Sequence, residues 1–110
     1  MIKNITTKKV LVKDFEICKT PFQKFRGLMF RKPTNLVFIF NRLMKVSLHM
    51  WFVFYRINVI FLDDKFKVVD LKKNFLPWTF YTSKKKCKYI IEIPSKVNVS
   101  IGDCLKLENL

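Results

Sequence analysis

INVIFLDDKFKVVDL, residues 57–71, decides the fold. Residues 57–62 form an apolar run broken once, which is typical of a strand buried on both faces. The turn DDK follows, and Asp is favoured in turns because its side chain accepts hydrogen bonds from nearby backbone N–H groups. The apolar pattern returns over residues 66–71. This order predicts a β-hairpin and favours a turn over a paired-carboxylate site at Asp63 and Asp64.

Further strands are predicted on both sides of this hairpin. Residues 36–40 and 89–93 are apolar runs, and residues 10–18 and 104–107 also have strand-like patterns. Upstream, His49, Trp51, Val53 and Tyr55 alternate with Met50, Phe52 and Phe54, so both faces are apolar. That pattern predicts a central strand, or one inside a barrel.

One segment has a helix signal. Thr20 can cap the helix, Pro21 suits its first position, and Gln23 completes a capping box. Phe22, Phe25 and Met29 follow at helical spacing, and Gly27 interrupts the helix or lets another segment approach closely.

The whole chain, residues 1–110, is predicted to form a single domain. Half of its residues are hydrophobic, 15% are aromatic, and it contains no Ala. Val, Ile, Phe, Tyr and Thr favour strands. We therefore expect a mainly β (α+β) fold: a compact antiparallel or mixed sheet, or a partly closed barrel, with one short N-terminal helix.

The charge is strongly positive, with 22 Lys and Arg against 8 Asp and Glu. Polyanions, nucleic acid first among them, are the usual partners of such a surface. A solvated lysine surface that maintains solubility is the competing interpretation.

Cysteine use and the N-terminal sequence indicate a cytoplasmic protein. Cys18, Cys87 and Cys104 are odd in number and widely spaced, which predicts buried thiols rather than disulfides or a metal site. Residues 1–14 lack the apolar core of a signal peptide. Polar residues interrupt the apolar stretch at 46–62, so we expect no membrane span. The chain has two glycines, too few for a Gly-rich phosphate loop, and we expect no cofactor.

The order of several short motifs resembles a known family. These motifs are FRGLMFR (25–31), LVFIF (36–40), SLHMWFVF (47–54), VIFLD (59–63), PW (77–78), YIIE (89–92) and IGD (101–103). Together they resemble domain of unknown function 192, in its archaeal form, from about residue 16 to 107. The resemblance implies a compact, mostly β domain with one helix and brings no established reaction. Arg56 and Asn58 stand where members of that family usually carry Pro and Asp.

Three side chains could take part in chemistry. His49 is the single histidine, and no sequence feature identifies the carboxylate or nucleophile that a catalytic histidine needs. Glu92 interrupts an apolar strand, and a salt bridge with Arg26 or Arg31 would fix the helix against the sheet. Cys87 follows a lysine run that would lower its thiol pKa, although burial would oppose this.

One segment combines aromatic and basic residues. Trp78, Phe80 and Tyr81 precede a lysine run made of Lys84, Lys85, Lys86 and Lys88, and Tyr89 follows. Lysines can neutralise phosphates while exposed rings stack on bases, and Arg26 and Arg31 could extend the patch. A solvated lysine loop beside core aromatic residues explains the same pattern.

The sequence leaves three hypotheses open. The first, which we favour over an enzyme, is a basic binding module that contacts nucleic acid or another polyanion. The second is a small enzyme or ligand-binding domain whose cleft contains His49, Trp51, Asn58 and Glu92. The third is an acidic protein partner that meets the lysines.

Overall fold

Residues 1–108, which this computed structural model describes, form ten strands and one short helix. The strands are β1 (Ile2–Asn4), β2 (Lys9–Val12), β3 (Glu16–Cys18), β4 (Leu36–Met44), β5 (Ser47–His49), β6 (Ile57–Leu62), β7 (Val68–Phe75), β8 (Phe80–Thr82), β9 (Cys87–Ile93) and β10 (Leu105–Leu107). The helix α1 (Pro21–Arg26) lies between β3 and β4. The predicted mainly β fold with one short helix is confirmed.

Three sheets build the fold. The main sheet has the order β3-β4-β9-β6-β7, with β3 parallel to β4 and the other neighbours antiparallel. A second sheet has the order β10-β1-β2, and β5 pairs with β8 in a two-stranded ribbon. Across residues 1–108 the sheets stay open rather than closing into a barrel.

The main sheet separates two cores because side chains alternate between its faces. On β6, Val59 and Phe61 contribute to one core while Ile60 and Leu62 contribute to the other. The second sheet covers the core of Ile60 and Leu62. The segments that follow α1 and β5 cover the opposite core, where Glu92 lies in register with Leu36 and Val59.

The hairpin and the helix start are as the sequence predicts. β6 pairs antiparallel with β7, and Asp63 Oδ1 accepts hydrogen bonds from the backbone N–H groups of Lys65 and Lys67, both at 2.9 Å. At α1, Gln23 N–H donates to Thr20 Oγ1, while Gln23 Oε1 accepts from Thr20 N–H. Both elements depend on local hydrogen bonds.

The predicted strand over 49–55 is wrong. β5 ends at His49, a turn follows at residues 51–52, and Trp51 and Phe54 are exposed. Alternating apolar residues normally indicate a strand with buried side chains, but in this segment the aromatic side chains lie in a surface loop.

Two further sequence interpretations are corrected. The helix ends at Arg26, and Phe22 and Phe25 are exposed, so their helical spacing does not mark a buried face. Cys104 is exposed, whereas Cys18 and Cys87 are buried as expected.

Candidate functional site

An exposed cluster of four aromatic rings lies at one end of the molecule. Phe30 stacks on Phe52 at 4.7 Å between ring centroids, Phe52 contacts Trp78 edge-on at 5.0 Å, and Phe54 lies 6.1 Å from Trp78. Phe30 is 66% exposed and Trp78 is 53% exposed. Because soluble proteins rarely leave large apolar surfaces exposed without a use, we name these four residues the aromatic face and treat it as a candidate site.

Backbone hydrogen bonds hold three separate segments together beneath these rings. Phe30 N–H donates to Phe52 O, Trp78 N–H donates to Met50 O, and Met50 N–H donates to Thr79 O, at 2.8–2.9 Å. The face therefore consists of loops joined by main-chain contacts.

Three residues of the aromatic face adopt left-handed backbone conformations. The φ angles are +56° at Phe30, +59° at Phe52 and +65° at Trp78. Glycine normally occupies this region, and a bulky residue there costs about 1 kcal/mol or more. Such strain concentrates at functional sites.

The segments that carry the aromatic face are basic. Residues 17–62 and 71–91, which supply its rings, contain no Asp or Glu. Lys32 and Arg56 are exposed and lie two residues along the chain from Phe30 and Phe54. The surface beside the rings thus favours an anionic partner.

The predicted lysine run lies elsewhere. Lys84, Lys85 and Lys86 are exposed in the turn between β8 and β9. Trp78 precedes β8, so the lysines follow the other end of that strand. Lys88 is half-buried, with Nζ 5.8 Å from the centre of the Tyr89 ring.

The two tyrosines of that segment are engaged in packing. Tyr81 donates a hydrogen bond to Asp70 Oδ2 at 2.8 Å, and Tyr89 stacks on Phe66 at 4.4 Å between centroids. The structure therefore places Trp78, rather than the tyrosines, in an exposed cluster of rings.

A second feature is a cavity of about 230 Å³ that lies between α1, the loop after β5 and the main sheet. Its walls are mostly apolar, with Phe38, Leu48 and Met50 among them. His49 and Glu92 both line it, as a ligand-binding cleft would require. His49 Nδ1 accepts a hydrogen bond from Trp51 N–H at 3.3 Å, and its ring lies beside Phe25 and Trp51.

Glu92 does not form the predicted salt bridge. Arg31 pairs instead with Glu16, at 2.6 Å between Nη2 and Oε2, because β3 brings Glu16 to the outer side of the helix. Arg26 is exposed at the end of α1 and, within residues 1–108, forms no ion pair with Glu92.

Glu92 is 5% exposed among apolar neighbours, and burial raises the pKa of its carboxyl group to about 8. The side chain is therefore mainly a neutral carboxylic acid at pH 7.

Gly27 allows the helix end to lie close to this acid. Its φ is +48°, and a Cβ atom there would meet Phe38 Cζ at 3.5 Å and Glu92 Oε1 at 3.7 Å. These are ordinary contact distances, so the backbone conformation, more than space, favours glycine at this position.

The other residues of the predicted cleft are placed apart from the cavity. Asn58 donates a hydrogen bond to Ser95 O at 2.7 Å and accepts one from Asn74 N–H at 3.2 Å.

Burial raises the pKa of the Cys18 and Cys87 thiols to about 11. Both thiols are thus protonated near neutral pH, which removes the basis for a nucleophilic Cys87.

The chain is similar to proteins with no described activity. A family model, DUF192, described as an uncharacterised ACR, matches residues 2–107. The match includes β1 and β2, and so extends beyond the predicted region of about 16–107. A UPF0127 protein of Thermococcus sibiricus is 41% identical over 94% of this chain and 71% of its own length.

Two solved structures share the fold. A protein of unknown function from Novosphingobium aromaticivorans has a TM-score of 0.86 at 19% identity, over 96% of this chain and 83% of its own. A proposed transcription regulator from Sinorhizobium meliloti has a TM-score of 0.80 at 22% identity, over 96% of this chain and 90% of its own. The helix in residues 1–108 is far too short to cross a membrane.

Proposed function

The chain belongs to the DUF192 family, and within that family we propose that it is a binding module that holds single-stranded nucleic acid on its aromatic face. One observation carries this proposal: exposed rings at Phe30, Phe52 and Trp78 occupy backbone positions where glycine would cost less. Stability alone does not explain aromatic residues at these positions, whereas ligand stacking does.

The chemistry of a single strand fits this surface. Unpaired bases stack on aromatic side chains, and each stack contributes about 1–3 kcal/mol with little sequence preference. Phosphates then meet the exposed Lys32 and Arg56 beside the rings. The lysine run at Lys84, Lys85 and Lys86 adds to the attraction at longer range.

One observation and one prediction from the sequence support nucleic acid as the partner. A structural neighbour is described as a proposed transcription regulator. The cytoplasmic location predicted from the sequence would give the protein access to nucleic acid. An acidic protein partner would use the charge but would not need flat, exposed rings.

The first test separates stacking from charge. We expect labelled single-stranded DNA or RNA to bind with micromolar affinity that falls steeply as salt increases, and more tightly than duplex DNA. Replacing Trp78→Gly should weaken binding by tenfold or more, since it removes a stacking ring. The same variant should bind inorganic polyphosphate as the wild type does, because polyphosphate has no bases. Fluorescence anisotropy across a salt series measures both.

A matched control is available on β8. Phe80 is 78% exposed but outside the aromatic face, so Phe80→Ala should change the affinity less than twofold. Equal affinities of Trp78→Gly and wild type for the single strand would overturn the proposal. Binding to anionic lipid vesicles without binding to nucleic acid would also overturn it.

A further inference from the structure

We propose that the cavity between α1 and the main sheet binds an uncharged small molecule with a single-ring apolar body and one amide group, which pairs with the Glu92 carboxyl. This site is distinct from the aromatic face, and the proposal does not depend on nucleic-acid binding.

The size of the cavity sets the size of the ligand. An apolar protein cavity of about 150 Å³ accommodates benzene. The volume of about 230 Å³ therefore suits one ring with a small substituent. Phe38, Leu48 and Met50 supply apolar walls for the ring.

The Glu92 carboxyl supplies the polar contact. Glu92 is 5% exposed and lines the cavity, and within residues 1–108 no buried side-chain oxygen is left without a partner, so the carboxyl reaches the open space of the cavity. Polar groups inside proteins are normally paired, so a carboxyl that faces this cavity favours a ligand that pairs with it. A neutral carboxyl donates one hydrogen bond and accepts another, and a primary amide offers the matching acceptor and donor.

The charges and the apolar walls of the cavity together favour an uncharged ligand. Lys24 and Arg26 line the cavity on the helix side and oppose the entry of a cation. An anion would lose its hydration on reaching the apolar interior, where the neighbouring strands place Leu36 and Val59 beside Glu92.

Three other titratable side chains lie near the Glu92 carboxyl. Cys18 on β3 and Tyr55 in the loop after β5 interact electrostatically with it, and burial raises the pKa of both. His49 faces the cavity from β5. With the pKa of Glu92 near 8, the carboxyl keeps its proton at pH 7 and loses it by pH 9.

Benzamide, benzylamine, benzoate and toluene are the probes for this site. The measurement is an NMR titration of the methyl signals of Leu48, Met50 and Val53, which line the cavity. Benzamide should shift these signals at pH 7 with higher affinity than benzylamine or benzoate. Its affinity should fall about tenfold between pH 7 and pH 9, as Glu92 ionises.

Two substitutions at Glu92 complete the test. Glu92→Gln keeps a donor and an acceptor, so benzamide should still bind, with affinity independent of pH. Glu92→Met should weaken benzamide binding about tenfold and leave toluene binding unchanged. Any of three results would overturn the proposal. The first two are that benzamide leaves the signals of the cavity walls unchanged, or that it binds Glu92→Met as tightly as it binds wild type. The third is that benzamide binds wild type less tightly than benzoate or benzylamine does. None of these results bears on the aromatic face.

Discussion

The free energy of unfolding should fall by about 3–4 kcal/mol between pH 5 and pH 8, and Glu92→Gln should remove this fall. The cause is the carboxyl of Glu92, whose pKa is about 8 in the folded protein against an ordinary value of 4.5. Between these values the folded state keeps a proton that the unfolded state has released, so stability decreases as pH rises. Each unit of pKa shift corresponds to about 1.4 kcal/mol.

Urea unfolding at several pH values measures this effect. Glu92→Gln should be several kcal/mol more stable than wild type at pH 8, because it replaces a buried carboxylate with a neutral group of the same shape. At pH 5 the two proteins should be close in stability. Glu16→Gln is the matched control, since Glu16 is exposed and its pair with Arg31 contributes little. Parallel stability profiles for wild type and Glu92→Gln would contradict the assignment of a neutral buried acid.

Asp70→Ala should destabilise the protein by about 3–5 kcal/mol. Asp70 is 3% exposed and accepts hydrogen bonds from the Tyr81 hydroxyl, Lys84 N–H and Leu71 N–H at 2.8–2.9 Å. Hydrogen bonds to charged groups contribute about 1.5–3 kcal/mol each, and buried donors left without partners add a penalty. This carboxylate anchors the turn that carries the lysine run.

Tyr81→Phe isolates one of the three contacts and should cost only about 1–2 kcal/mol. Burial, assisted by the hydrogen bond to Asp70, raises the pKa of Tyr81 to about 12. Asp70→Asn should lower that pKa, which spectrophotometric titration detects. It should also speed amide exchange at Lys84. If Asp70→Ala cost no more than Tyr81→Phe, the backbone contacts of Asp70 would have no role in stability.

Local chemistry made part of the fold predictable. The capping box at Thr20 and Gln23 and the Asp63 turn each depend on residues within a few positions, so sequence spacing identifies them. The hairpin of β6 and β7 follows from its apolar runs and that turn.

Prediction failed where distant segments decide the outcome. The loop after His49 looks like a strand because its aromatic residues alternate, yet contacts with Phe30 and Trp78 hold it at the surface. The sequence identifies Glu92 as an acid within an apolar strand, and its position in β9 confirms this. Its pairing was not predictable, because the parallel alignment of β3 with β4 places Glu16 beside Arg31.

The pairing of β1 with β10 has a consequence for how the chain folds. Ile2 lies opposite Leu107, and Asn4 donates a hydrogen bond to Asp103 at 2.8 Å, so the second sheet joins the two ends of the described chain. Contacts between residues so far apart in sequence form slowly, because a long loop must close first. During synthesis β1 leaves the ribosome before β10 and cannot pair with it until β10 has been made. Until then, the core beneath this sheet is open to water, and the nascent chain is at greatest risk of aggregation.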